Sequence, residues 1–201
     1  MTDRSGIFEG TDPCEILSRW LGEASATEPS DPNAMTLATV DKDGLPDARI
    51  VLLKDIEGED LVFFTNYDSA KGQELAANPR AALLFHWKSL GRQIRVRGAV
   101  EKVSAAASDR YYHSRPLGSR LGAWASRQSE PLPDRKTLED RLGRIEAEKG
   151  DHPDRPAHWG GYRLRPIQFE FWSNGDFRLH DRFRWSRSTV SAAWTIDRLN
   201  P

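Results

Sequence analysis

Met35-Thr36-Leu37-Ala38-Thr39-Val40, Asp41-Lys42-Asp43-Gly44 and Ala48-Arg49-Ile50-Val51-Leu52-Leu53 follow in close succession in this 201-residue chain, and their order sets the architecture. Two runs of aliphatic and β-branched residues flank a turn rich in Asp and Gly, which is the signature of an antiparallel hairpin. A second turn, Glu57-Gly58-Glu59, leads into the apolar run Leu61-Val62-Phe63-Phe64. Strands joined by turns this short form a meander, because a parallel βαβ unit needs a crossover of about a dozen residues or more.

Working upstream, Asp12-Pro13-Cys14-Glu15 reads as N-cap, N1 proline and N3 acid, and Ile16, Leu17, Trp20, Leu21 and Ala24 share one helical face. The pattern predicts an N-terminal helix at 12–27, after a flexible 1–11. Downstream, a short helix is expected from Ser69 to Ala77, closed by Asn78-Pro79, and a strand from Ala81 to His86. In the next strand Ile94, Val96 and Val100 point one way and Gln93, Arg95 and Arg97 the other. A helical insertion spans about 104–150. Ser104 caps its first helix, Pro116 sits at N1 of the second, and Asp134 caps a third that carries Leu138, Leu142 and Ile145 and ends at Gly150. Strands at 162–172, 178–185 and 193–199 complete a single domain, 1–201. The fold class is mainly β with flanking helices (α+β), an antiparallel barrel or sandwich.

Composition narrows the function. Lys and Arg total 29 against 30 Asp and Glu, so a net charge of −1 gives no reason to expect nucleic acid or an anionic membrane. Of the basic residues 22 are Arg, whose planar fork suits phosphate and carboxylate. One cysteine, Cys14, excludes an internal disulfide and a Cys-cluster metal site, and a reducing, cytoplasmic location fits best. No apolar run approaches the roughly 20 residues of a membrane helix. Met1-Thr2-Asp3-Arg4 opens no secretory signal. P-loop, dinucleotide-fingerprint, nucleophile-elbow and His-Glu-x-x-His signatures are missing, and no metal site is expected.

Two groups of residues stand out as anion sites. On a regular strand Arg178, His180 and Arg182 share one face, and such a face needs anions opposite it. The alternative is a solvated face paired with acids of a neighbouring strand, for which Glu170 and Asp181 are the candidates. Tyr111 and Arg115 share a helical face at i, i+4, and with Ser119 near a helix start they could hold a phosphate. The alternative there is an ordinary helix junction. Trp172 lies on the polar Gln168/Glu170 face of its strand, which suggests stacking or an interface.

Several stretches occur together and in order: Arg49-Ile50-Val51-Leu52-Leu53-Lys54, Phe64-Thr65-Asn66, Arg92-Gln93, Tyr111 with His113-Ser114-Arg115-Pro116, Gly122-Ala123-Trp124 with Gln128-Ser129, Trp159-Gly160-Gly161-Tyr162, Phe171-Trp172 and Arg178-Leu179-His180-Asp181-Arg182. From about residue 12 to the C-terminus the chain resembles the pyridoxamine/pyridoxine 5′-phosphate oxidase family. The resemblance implies an antiparallel split β-barrel, a homodimer, and FMN bound at the subunit interface. FMN contacts are then expected from the strand Arg49, Ile50, Val51, Leu52, Leu53 and Lys54, and from Phe64, Thr65, Lys71, Gln93, Gln128, Ser129, Trp172 and Arg182. Lys54, Tyr111, Arg115 and Ser119 match the clamp on the substrate 5′-phosphate. Arg178 and His180, with Leu179 between them, match the catalytic pair over the pyridine ring, and Asp31 matches an acid near the substrate.

The implied reaction moves a hydride from C4′ of pyridoxine or pyridoxamine 5′-phosphate to flavin N5, and O2 then reoxidises the flavin to give H2O2 and pyridoxal 5′-phosphate. Two positions depart from the family pattern. Ala70 precedes Lys71 where an Arg is usual, and Arg4 to Glu9 contains no Arg-x-x-Tyr. Two other readings stay open: another split-barrel flavin or deazaflavin reductase, which needs no Tyr111/Arg115/Ser119 clamp, and a non-catalytic binder of FMN or pyridoxal phosphate.

Overall fold

The computed structural model describes residues 6–201. The first helix, α1 (Pro13–Thr27), starts as its sequence dictates: the Asp12 carboxylate accepts from the Cys14 N–H at 2.7 Å, and Pro13 occupies the first turn. Its apolar face, Ile16, Leu17, Trp20 and Ala24, is fully buried. The hairpin follows as β1 (Ala34–Val40) and β2 (Pro46–Leu52), in register from Ala34↔Leu52 to Val40↔Pro46. The meander continues through β3 (Asp55–Glu57), β4 (Asp60–Asn66), α2 (Ala70–Ala77), β5 (Arg80–Trp87) and β6 (Arg92–Lys102). β3 is a three-residue addition, too short to leave a period-two pattern in the sequence.

The helical insertion comprises α3 (Ala105–Ser114), α4 (Leu117–Ala125) and α5 (Arg135–Lys149); Ser104 and Asp134 cap α3 and α5 with their side chains, while Pro116 stands at the N-cap of α4, one residue before the expected N1, and gives no side-chain cap. The expected apolar row on α5, Leu138, Leu142 and Ile145, is only half-buried, and α5 buries no residue. The chain returns as β7 (Trp159–Ser173), β8 (Asp181–Ser186) and β9 (Thr195–Leu199).

Every strand pairing is antiparallel. The order is β2-β1-β5-β6-β7-β4-β3, with β8 on β7 and β9 on β8. The long β7 pairs β6 along its length while its first half pairs β4 and its second half pairs β8, so it curls the sheet into an antiparallel split barrel with flanking helices. A register shift at Arg97/Gly98 makes the bend, and Gly98 is required there because a Cβ would lie 2.0 Å from the Arg165 carbonyl oxygen. The inner face carries Leu37, Phe63, Phe85, Val96, Phe169, Phe171, Phe183 and Trp185 with Trp20 of α1 set among them. At roughly 1.5–3 kcal/mol per buried large apolar side chain, this single cluster is the main source of stability.

One local expectation is corrected, and the N-terminus adds a local element. Residues 1–5 of the expected flexible 1–11 lie outside the described residues, but Gly6–Phe8 form a 3-10 turn whose Phe8 is 5% exposed and packs on Trp20 and Phe183. Residues 178–180 are not strand. Asp176–Arg178 form a 3-10 turn with Phe177 at φ 55° and Arg178 at φ 66°, so the chain winds before β8 begins at Asp181. Among the described residues no helix is long and apolar enough to cross a membrane, and no group of three or more His, Cys, Asp or Glu is arranged to hold a metal.

Candidate active site

β2, β4, α2 and the α3–α4 junction converge on a cavity of about 650 Å³. It collects Ile50, Val51, Leu52 and Lys54 from the end of the hairpin, Phe64 and Thr65 from β4, Lys71 from α2, Tyr111, Arg115 and Ser119 from the helical junction, and Gln128 from the loop beyond. Trp159, at the start of β7, completes the wall. Three cations, Lys54, Lys71 and Arg115, face this space, and no Asp or Glu lines it. Such a set repels itself unless an anion enters.

Each cation is held by a different means. Lys71 is buried at 8% exposure and donates from Nζ to Gln128 Oε1 at 3.1 Å and Ser69 Oγ at 3.3 Å. Desolvation, followed by the nearby Arg49 charge, pushes its pKa down from the usual lysine range. Arg115 packs its guanidinium over the Trp159 ring, 4.6 Å from the centroid, and burial pushes its pKa down as well. Its Nη1 is buried and meets no acceptor among the described residues. Phe64 and Tyr111 stack at 3.9 Å between ring centroids and lie nearly parallel to Trp159. Lys54 follows a kink: Leu53 N–H donates to Asn33 O and Lys54 N–H to Val62 O, so the chain leaves β2 before Lys54.

Four expected residues of this region, Leu53, Arg49, Ser129 and Asp31, lie elsewhere or only border it. Leu53 is in the core at 4% exposure, because the same kink turns it inward. Arg49 does not line the cavity. Its guanidinium donates to Thr39 Oγ1 and pairs with Asp47 and, at 2.9 Å, with Glu74 Oε2, while Thr39 Oγ1 donates to that same Glu74 oxygen. The five-residue step from Arg49 to Lys54 therefore puts the two side chains in different surroundings. Ser129, at φ 73°, is exposed beside Gln128, Asp31, at φ 43°, is exposed at the turn before β1, and Ala70 is exposed at the first position of α2.

The remaining expected residues form a second group on the outer face of β6, β7 and β8. Gln93 lies opposite Trp172, and Trp172 opposite Arg182. The His180 ring packs on Trp172 at 4.6 Å, and its Nδ1 accepts from the Gly175 N–H at 3.2 Å. A neutral His180 therefore carries its proton on Nε2. Leu179 and His180 border a smaller hollow, about 320 Å³, with Arg198 and the C-terminal residues. Arg178 belongs to the winding turn and shares no strand face with His180 and Arg182. The paired-face alternative holds for Arg182, which is tied to Glu170 at 2.6 Å, with Arg95 3.5 Å from the other carboxylate oxygen. Nothing from this second group lines the larger cavity.

The family model described as pyridoxamine 5′-phosphate oxidase matches residues 21–149, and the one described as the pyridoxine 5′-phosphate oxidase C-terminal dimerisation region matches 159–201. The chain belongs to this family. The pyridoxine/pyridoxamine 5′-phosphate oxidase of Paracoccus denitrificans is 60% identical over 220 residues, covering 100% of both chains. That of Cereibacter sphaeroides is 57% identical, covering 99% of this chain and 100% of the relative. Among solved structures, PhzG from Burkholderia lata in complex with tetrahydrophenazine-1-carboxylic acid superposes with a TM-score of 0.89 at 31% identity, covering 96% of this chain and 94% of that one. A pyridoxamine 5′-phosphate oxidase-related, FMN binding protein of Nostoc punctiforme shares the fold, with a TM-score of 0.76 at 17% identity, covering 98% and 100%. The region matched by the family's dimerisation model holds the whole turn-and-strand part of the second group, Trp172 to Arg182.

Sequence reasoning missed Trp159 as part of the cavity wall, and Glu74 and Thr39 as the partners that hold Arg49 away from it. Trp159 lies 44 positions from Arg115, so no local spacing joins them. Thr39 and Glu74 are read as interior strand and helix positions until the fold brings Arg49 between them.

Proposed function

We propose that the chain is an FMN-dependent oxidase that converts pyridoxine and pyridoxamine 5′-phosphate to pyridoxal 5′-phosphate, acting as a homodimer with O2 as acceptor. The observation that carries this reading is the cavity with three cations and no carboxylate, in which a buried guanidinium nitrogen has no partner. A phosphate monoester supplies the missing charge and acceptors. Curated relatives at 57–60% identity over essentially the whole length carry the same activity in their names.

The donor set also fits FMN. Lys71, Thr65 and Gln128 at the α2 end of the cavity offer a buried cation and two polar side chains to the flavin phosphate, and the apolar Ile50–Leu52 edge suits the ring system. Held by these residues, FMN would supply the hydride acceptor for substrate C4′ and the route for the electrons to O2. The chain's own residues do the rest. Lys54, Arg115, Tyr111 and Ser119 hold the substrate phosphate, which supplies binding energy remote from the reacting carbon. Arg178 and His180 orient the pyridine ring, with His180 Nε2 presenting the proton that the Gly175 contact leaves there.

A homodimer with two shared sites is supported by the separation of the two groups. Residues expected at one flavin and one substrate lie partly in the cavity and partly on the outer sheet face, and the latter shares no cavity with the former. A second copy can bring its Trp172–Arg182 segment to the first copy's cavity. That segment also carries Phe177 and Leu179, exposed at 94% and 69%, as an interface would require.

The deciding experiment is direct. The purified protein should show a flavin spectrum and, given pyridoxine 5′-phosphate, release peroxide and aldehyde in equal amounts. Flavin without turnover would favour a binder, and turnover only with a nicotinamide or deazaflavin donor would favour a reductase. Arg178→Ala should lose most turnover while FMN stays bound.

A further inference from the structure

Arg115 and Lys71, the two cations of the cavity with side-chain anchorage, are held in different ways. Lys71 has two hydrogen bonds to side chains, whereas Arg115 Nη1 is buried without an acceptor and no carboxylate is paired with the residue. Its guanidinium packs on a ring. The Arg115 guanidinium carbon sits 4.6 Å above the Trp159 centroid, and Trp159 is itself 7% exposed, fixed by stacking in the Phe64–Tyr111–Trp159 pile and by an edge contact with Tyr112. The backbone makes this possible: Trp159 opens β7 opposite Asn66, and Gly160 follows it where a Cβ would lie 2.1 Å from the Tyr67 hydroxyl.

We infer that Trp159 is a positioning residue for substrate phosphate: its ring face holds the Arg115 guanidinium flat while leaving its N–H donors uncommitted. The inference rests on the reading of the cavity as a phosphate site. A carboxylate partner would fix Arg115 equally well but would compete with the incoming anion for its donors and cancel its charge. A ring face does neither, because it binds the flat side of the cation and leaves the in-plane N–H groups free. Desolvation also strengthens a contact of this type. The stack has a second consequence. Tyr111, another phosphate-clamp candidate, packs in the same three-ring cluster, 6.1 Å from Trp159 between centroids, so one aromatic cluster aligns two of the four clamp residues.

The test uses the FMN-loaded protein and the variants Trp159→Leu, Trp159→Phe and Arg115→Met. Trp159→Leu should raise KM for pyridoxine 5′-phosphate, and the inhibition constant of inorganic phosphate, by about tenfold, with kcat within about twofold of wild type. Trp159→Phe keeps a ring face and should recover most of the loss. In an Arg115→Met background, Trp159→Leu should cost much less than in wild type, the small remainder being what the ring contributes through Tyr111. A Trp159→Leu variant with unchanged KM, or one in which Trp159→Phe is equally impaired and kcat falls in parallel with thermal stability, would overturn the positioning role. So would full additivity with Arg115→Met. If wild-type protein turns over no vitamin B6 phosphate, the proposed activity fails on its own, and inorganic-phosphate binding followed by 31P line broadening still decides the role of Trp159: weakened in Trp159→Leu, it stands; unchanged, it falls.

Discussion

Arg182 donates from both Nε, at 3.0 Å, and Nη2, at 2.6 Å, to one oxygen of Glu170 on the neighbouring strand. The two residues are diagonal neighbours across β7 and β8, and Arg95 reaches the second carboxylate oxygen from β6 on the other side. One buried carboxylate thus serves two guanidinium groups on three strands, which leaves net positive charge on this outer face next to Trp172. Glu170→Gln keeps the shape but removes the charge that orients Arg182. The variant should lower Tm and, with Arg182 as a flavin contact, weaken FMN binding by about tenfold, the scale of a buried charge-assisted hydrogen bond. FMN fluorescence titration of the apoprotein checks this. Unchanged affinity would separate Arg182 from the flavin.

Gly175 controls the turn that carries Arg178 and His180. Its N–H is given to His180 Nδ1, and a Cβ at this position would lie 2.2 Å from the Leu179 carbonyl oxygen. Its φ of −134° is open to any residue, so contact and not backbone strain makes glycine necessary. Gly175→Ala should therefore displace the 176–180 turn and cut kcat by about tenfold or more, since small misplacements of orienting groups are costly. FMN affinity and Tm should change little, because the turn buries none of its own residues. Equal losses in FMN affinity and kcat would argue against the assignment.

Cys14 is chemically silent in the folded protein. The thiol is 5% exposed, and burial together with the charges of Asp12 and Glu59 pushes its pKa up to about 12. Native protein at pH 8 should resist iodoacetamide for hours, and the same protein in denaturant should alkylate at an ordinary rate. Rapid native labelling, followed by mass, would show that α1 opens.

Most of the sheet was legible because its chemistry is local. Alternation in β6 and the Asp/Gly turn after Val40 depend on neighbours in sequence, and α1 announces itself through Asp12, Pro13 and its apolar row. The cavity group was legible through its family motifs and the i, i+4 pair Tyr111/Arg115. The other parts depended on long-range context. Arg178 and His180 look like strand residues until the left-handed φ values of Phe177 and Arg178 wind the chain, a conformation that neither side chain advertises. Leu53 sits beside a motif that lines the cavity, yet a backbone bond to Asn33 turns it into the core.

Lys71 offers the clearest exchange of stability for binding. Its pKa is depressed by desolvation and by Arg49, so the folded state holds this proton less tightly than the unfolded chain does. The charge therefore costs stability at every pH below the folded pKa, and the cost fades as pH rises toward 10.5, where the unfolded lysine also loses its proton. Lys71→Met removes the cost. The two acceptors it abandons keep other partners, since Ser69 Oγ donates to Asn66 O and Gln128 Oε1 accepts from Thr65. Apoprotein Tm at pH 7 should thus match or exceed wild type, with any advantage shrinking at alkaline pH. FMN should then raise Tm strongly for wild type and weakly for the variant, because ligand stabilisation scales with affinity. A variant that melts below wild type at pH 7, or that gains as much from FMN, would remove Lys71 from the flavin phosphate site.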